Sequence, residues 1–106
     1  MIFEVLNESA ERGELILVDG GMCHWHLRRD GQITIREILV QPIDRLQGIG
    51  REMVEKLTQV QGATSIFAKC PINLPANGWY RHLGFADEGS EWTKSGRELR
   101  RWRLQI

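Results

Sequence analysis

Residues 37–50 read Glu37-Ile38-Leu39-Val40-Gln41-Pro42-Ile43-Asp44-Arg45-Leu46-Gln47-Gly48-Ile49-Gly50. The apolar run predicts a buried strand, the segment from Gln41 to Gln47 a tight loop, and the spaced glycines the start of a helix. Gly48 and Gly50 leave the backbone bare at that point. Their amides, with those of Ile49 and Arg51, can therefore face a bound anion. A helix start supplies unpaired N–H groups and the positive end of the dipole, which together cradle a phosphate. Glycines between a loop and a helix also serve simply to let backbones pack closely. Both readings stand on this segment alone.

Outward from this stretch the chain alternates recognisable elements. Residues 51–61 carry Met53, Val54, Leu57 and Val60 at helical spacing, with Gly62 as the stop. Residues 65–70 form a short apolar strand suited to a sheet centre. Pro75 fits the first turn of a second helix, which would present Ala76, Trp79, Tyr80 and Leu83 inward and stop at Gly84. Residues 85–93 and 98–106 read as a closing hairpin around Lys94-Ser95-Gly96. In its last strand Trp102, Leu104 and Ile106 alternate with Arg101, Arg103 and Gln105. Upstream, residues 14–18 are a strand stopped by Asp19-Gly20-Gly21, and residues 3–10 a short helix with Phe3, Leu6 and Ala10 on one side. Residues 22–29 and 32–40 flank Asp30-Gly31, a preferred pair for a two-residue hairpin turn. That turn would place Arg29 opposite Gln32, Leu27 opposite Thr34, His26 opposite Ile35, and His24 opposite Glu37. Provided no bulge intervenes, His24 and Glu37 share a sheet face.

The 106 residues suit one domain, residues 1–106, near the lower end of what builds its own core. Hydrophobic residues make up 42% of the chain, ample for a folded protein. Lys plus Arg balance Asp plus Glu at 14 each, so net charge points to neither nucleic acid nor a membrane. The N-terminus lacks a signal-peptide pattern, and Cys23 and Cys70 make no disulfide framework. A reducing cytoplasm is the expected location.

The loop and a later segment together resemble the GNAT family of N-acetyltransferases. In that family an Arg/Gln-x-x-Gly-x-Gly/Ala loop binds the pyrophosphate of coenzyme A, and here it stands as Arg45-Leu46-Gln47-Gly48-Ile49-Gly50. The family's Asn…Ala…aromatic-Tyr…Leu-Gly-Phe run is matched by Asn73, Ala76, Trp79, Tyr80, Leu83, Gly84 and Phe85. The resemblance covers roughly residues 21–85. It implies an α/β (α+β) acyl-CoA N-acyltransferase fold: a mixed, mostly antiparallel sheet with helices on both faces and a reduced N-terminal helical region. It implies acetyl-CoA as co-substrate and an amine acceptor that attacks the thioester directly in a ternary complex. Arg45, Leu46, Gln47, Gly48, Ile49, Gly50 and Arg51 would hold the pyrophosphate. Pantetheine would lie along Ile38, Leu39 and Val40, whose side chains are expected in the core, in a slot opened by a bulge in that strand. Asn73 would bind the cofactor arm, although an Asn before Leu-Pro is also an ordinary turn residue. Tyr80 would protonate the departing thiolate, although a tyrosine on an apolar helix face is also an ordinary core residue. Glu37 is the candidate base, oriented or replaced by His24; a plain Glu–His surface pair explains the same residues. Family members acting on ribosomal-protein N-termini often carry a Glu five positions before the asparagine, where this chain has Ala68.

Strand alternation sets Cys23 on the opposite face from His24 and His26, so no metal site is expected. Cys70 is either a reactive thiol or a small buried hydrophobe. The acceptor, a small molecule, peptide or protein, is not named by any motif. The loss of N-terminal helices would leave the acceptor side open, or completed by a second subunit across an edge strand ending near Trp102. Two further readings stay open. One is a coenzyme A-binding module of the same fold without catalysis. The other is an RNA- or protein-binding domain using Arg97, Arg100, Arg101 and Arg103.

Overall fold

The computed structural model describes residues 14–41 and 48–106. Its elements are β1 (Leu15–Val18), β2 (Gly21–Leu27), β3 (Gln32–Val40), α1 (Ile49–Thr58), β4 (Ser65–Pro71), α2 (Ala76–His82), β5 (Ala86–Trp92) and β6 (Glu98–Gln105). They build one sheet in the order β1-β2-β3-β4-β6-β5. Among the described strands only β3 and β4 run parallel, as expected where a helix makes the crossover between them. The expected helix over residues 3–10 lies outside the described residues.

The β2–β3 hairpin corrects the expected turn. Gly31 N–H bonds Arg28 O at 3.1 Å and Arg28 N–H bonds Gln32 O at 2.8 Å. This is a three-residue loop, a tight turn followed by Gly31 in the left-handed region at φ 92, where a side chain would be strained. The register near the turn is consequently one residue off the expectation, with Leu27 opposite Ile33, His26 opposite Thr34 and Trp25 opposite Ile35. A bulge then leaves Arg36 unpaired, and His24 falls opposite Glu37 after all. The expected neighbours meet because two deviations cancel.

One sheet face is apolar and takes both described helices. Cys23, Trp25, Ile33, Ile35, Ile66, Ala68, Cys70 and Trp102 are buried there with Met53, Val54 and Leu57 of α1 and Tyr80 of α2. The resemblance implied helices on both faces; among the described residues both lie on this one. The opposite face is more polar. It carries His26, Thr34, Lys69, Arg101 and Arg103 beside the exposed Leu17 and Leu39, and its buried Phe67 is covered by guanidinium groups. Arg103 and Arg101 lie 4.9 and 5.3 Å from its ring centroid, in cation–π range.

The last strand also differs from expectation. It is β5, not β6, that forms the edge, and Trp102 is fully buried rather than presented for dimerisation. Trp102 Nε1 donates to Asn77 Oδ1 at 2.9 Å, which lets the indole enter the core with its polar atom satisfied. Exposed Trp92 stands on the edge strand instead.

Candidate active site

The parallel pairing of β3 with β4 stops early. Gln32 pairs with Ser65, Ile33 with Ile66 and Thr34 with Phe67, and no later residue of β3 pairs with β4. The Arg36 bulge lies immediately beyond this point, where an extra residue bends a strand and increases its twist. The two strands splay, and a cleft of about 410 Å³ opens, lined by Ile38, Leu39, Val40, Gly50, Leu74, Pro75, Ala76 and Trp79. The apolar run that decides the fold thus forms one wall. Leu39 is 54% exposed, which corrects the expectation that all three side chains belong to the core; it lies on the sheet face away from the helices, where no neighbouring strand covers it.

The first turn of α1 forms the second wall. Its N-cap, Gly48, has φ 78 and no side-chain cap, and a Cβ built there would meet nothing within 4 Å. Glu52 N–H is the first to bond within the helix, to Gly48 O at 2.9 Å. Ile49, Gly50 and Arg51 therefore carry the uncapped amides that a helix start offers to an anion. The two glycines play different parts. Gly48 supplies the left-handed backbone and open space. Gly50 supplies room for a neighbour, since a Cβ there would sit 2.5 Å from Trp79 Cζ2. Arg45, Leu46 and Gln47 lie outside the described residues.

The third wall is α2 and the turn before it. Phe85 N–H bonds Tyr80 O and Gly84 N–H bonds Arg81 O, both at 3.1 Å, a Schellman ending that packs Phe85 on Tyr80. Their rings meet edge-on at 5.2 Å. Tyr80 also stacks on Trp102 at 6.3 Å and touches Trp79 edge-on at 4.9 Å. It is 4% exposed and lies beneath the cleft rather than in its lining. Burial pushes its hydroxyl well above the ordinary tyrosine value, and the Cys70 and Cys23 thiols act in the same direction. Tyr80 consequently keeps its proton at neutral pH. Of the expected inward residues, Trp79 and exposed Ala76 line the cleft, Tyr80 is buried in the core, and Leu83 and Trp79 pack against it half-buried.

Asn73 sits exposed in the turn between β4 and α2, and its side chain bonds no described residue. The asparagine that organises this corner is Asn77, which the sequence reading missed. Its Nδ2 donates to Pro71 O at 2.8 Å and Leu74 O at 2.9 Å, while its Oδ1 accepts from Trp102. A polar residue on a helix otherwise read as apolar and inward was the available signal. His24 is buried and Glu37 half-buried; they are cross-strand partners, and no hydrogen bond joins their side chains. Glu37 and Ile38 are adjacent on β3, so they point to opposite faces.

The remaining candidates resolve into structure. Cys23 and Cys70 are buried free thiols; burial pushes Cys23 up to about 12 and raises Cys70 as well. Neither is poised as a thiolate. The arginines of β6 are engaged locally: Arg100 with Asp87 at 2.6 Å, Arg101 with Glu91 at 3.4 Å and Arg103 with Glu88 at 3.0 Å. Three of the four arginines named for a binding strand are thus paired with carboxylates of β5.

No protein-family model matches the chain, and no curated protein matches it in sequence. Solved structures do. A Bacillus anthracis protein assigned as a streptothricin acetyltransferase, in complex with acetyl-coenzyme A, superposes with a TM-score of 0.80 at 19% identity, covering 96% of this chain and 69% of that one. A Desulfovibrio desulfuricans protein assigned to the GNAT acetyltransferases gives 0.77 at 19% identity, over 96% and 77%. The Escherichia coli ribosomal-protein-S18-alanine N-acetyltransferase gives 0.68 at 20% identity, over 94% and 76%. The chain therefore has the acyl-CoA N-acyltransferase fold of the GNAT acetyltransferases.

Proposed function

We propose that this protein is an acetyl-CoA-dependent N-acetyltransferase acting on a primary amine. The observation that carries the proposal is the separation of β3 from β4 beyond Thr34 and Phe67, which gives Ile38, Leu39 and Val40 a cleft ending at the uncapped start of α1. An apolar slot closed by an anion-binding helix start fits a ligand with a pantetheine arm and a pyrophosphate. The structural neighbour bound to acetyl-coenzyme A supports the same ligand.

Acetyl-coenzyme A supplies the thioester that an amine attacks. The chain's own residues hold and protonate. The amides of Ile49, Gly50 and Arg51 face the pyrophosphate, and Asn73 offers an unengaged amide to the arm. Tyr80 carries a proton at its Oη for the departing thiolate, although burial makes it a weaker acid than an exposed tyrosine. Glu37, on the face away from the helices, takes the amine proton, with His24 as its cross-strand neighbour. Coenzyme A thus arrives on the helix face and the acceptor on the polar face. The depth of Tyr80 favours one second reading, coenzyme A binding without catalysis.

Calorimetry with coenzyme A and acetyl-coenzyme A tests the proposal, using Gly48→Asn and Gly48→Asp as a pair. Both residues tolerate the left-handed backbone, so the comparison isolates charge. The expected result is binding by wild type and Gly48→Asn, with at least about a tenfold further loss, about 1.4 kcal/mol, in Gly48→Asp. Absence of binding by the folded wild type would remove the reading.

A further inference from the structure

We infer that Trp79 is a positioning residue for the coenzyme A cleft, and that Gly50 is glycine in order to seat it. The inference rests on the proposed coenzyme A site and assigns a role that the glycine loop did not suggest. A Cβ on Gly50 would lie 2.5 Å from Trp79 Cζ2, 3.0 Å from Cε2 and 3.2 Å from Nε1. Real Cβ atoms do not approach so closely, so the indole edge occupies the very space that any other residue would fill. Both residues line the cleft. The same indole meets the Tyr80 ring edge-on at 4.9 Å and 67°.

Trp79 is therefore a wedge with two contacts. One holds the first turn of α1, whose amides face the anion. The other holds Tyr80, which the Schellman ending already locks against Phe85. Trp79 thereby links the anion cradle to the proton donor. An aliphatic side chain at position 79 would leave α1 and α2 without this spacer, and an alanine at position 50 would drive the spacer out of place. In either case the cleft loses its geometry while the sheet beneath is untouched.

A double-mutant cycle on Gly50→Ala and Trp79→Leu tests this, read by coenzyme A calorimetry and by thermal unfolding of each variant. Gly50→Ala is expected to weaken coenzyme A binding at least about tenfold in the Trp79 background. In the Trp79→Leu background the same change should cost less than about twofold, because no ring remains to displace. Trp79→Phe, which keeps an aromatic wedge, should bind more tightly than Trp79→Leu. Equal losses from Gly50→Ala in both backgrounds would overturn the inference and return Gly50 to the role of an anion-facing backbone. If Gly50→Ala alone does not fold, Trp79→Leu must restore folding to the double variant, and failure to do so also overturns it. If wild type binds no coenzyme A, the proposed function falls. The seat is then judged by unfolding alone, where Gly50→Ala should lower Tm only when Trp79 is present.

Discussion

Burial among Trp79, Phe85 and Trp102 holds the Tyr80 hydroxyl above the ordinary tyrosine pKa. In the proposed reaction its hydroxyl contributes general acid catalysis, typically 10²–10⁴-fold. Tyr80→Phe is accordingly expected to lower turnover by at least about a hundredfold while leaving coenzyme A affinity within about twofold. Turnover equal to wild type would assign the chain to cofactor binding alone. The same burial has a pH signature. Cys23, Cys70 and Tyr80 all have raised pKa values in the folded chain. The unfolded chain loses these protons first as pH climbs past about 9–10, while the folded chain retains them. Stability from these groups is complete below about pH 9 and is lost as pH rises toward the folded values. The urea midpoint should be flat from pH 7 to 8.5 and fall above 9, and Cys23→Ala should make that fall shallower. A wild-type midpoint unchanged to pH 11 would contradict the burial of these groups.

Two elements decide where the site residues stand. In the turn between β4 and α2 the two asparagines have divided roles. Asn77→Ala removes three hydrogen bonds and leaves Trp102 Nε1 buried without a partner, a loss of about 2–3 kcal/mol in urea unfolding. Asn73→Ala should stay within about 0.5 kcal/mol of wild type and weaken coenzyme A binding instead. In β3 the bulge at Arg36 sets the faces. Deleting Arg36 would shift residues 37–40 by one and turn Ile38 and Val40 away from the helices. Destabilisation of more than about 2 kcal/mol is expected from exposing such side chains, together with loss of coenzyme A binding. A fully stable deletion variant would mean that the bulge is not what fixes the register. That Asn73 sits in a turn was legible from the Leu-Pro that follows it. The structural part played by Asn77 was not, since it depends on Trp102, 25 residues away.

Across the molecule, charge and burial divide the sheet into two unlike faces. Arg101 and Arg103 were legible as one side of an alternating strand, and Arg100 stands on the other, opposite Cys70. Their partners were not, because Asp87, Glu88 and Glu91 reach them only through the antiparallel pairing of β5 with β6. The same pairing moved Trp102 from an expected edge into the centre of the core.

What the sequence by itself determined is what short-range physics controls. Apolar periodicity placed the strands and both helices, the glycine at position 48 placed the start of α1, and the spacing from Asn73 to Phe85 placed Tyr80 on the core side of α2. What only the tertiary structure decided is what depends on residues far apart in the chain. The cleft exists because β3 and β4 stop pairing after three residues. Gly50 is small because Trp79 rests on it. His24 meets Glu37 because a three-residue loop and a bulge offset one another. A local pattern fixes which face a side chain takes within its own element, but the distance at which two elements come to rest is settled only when their side chains pack.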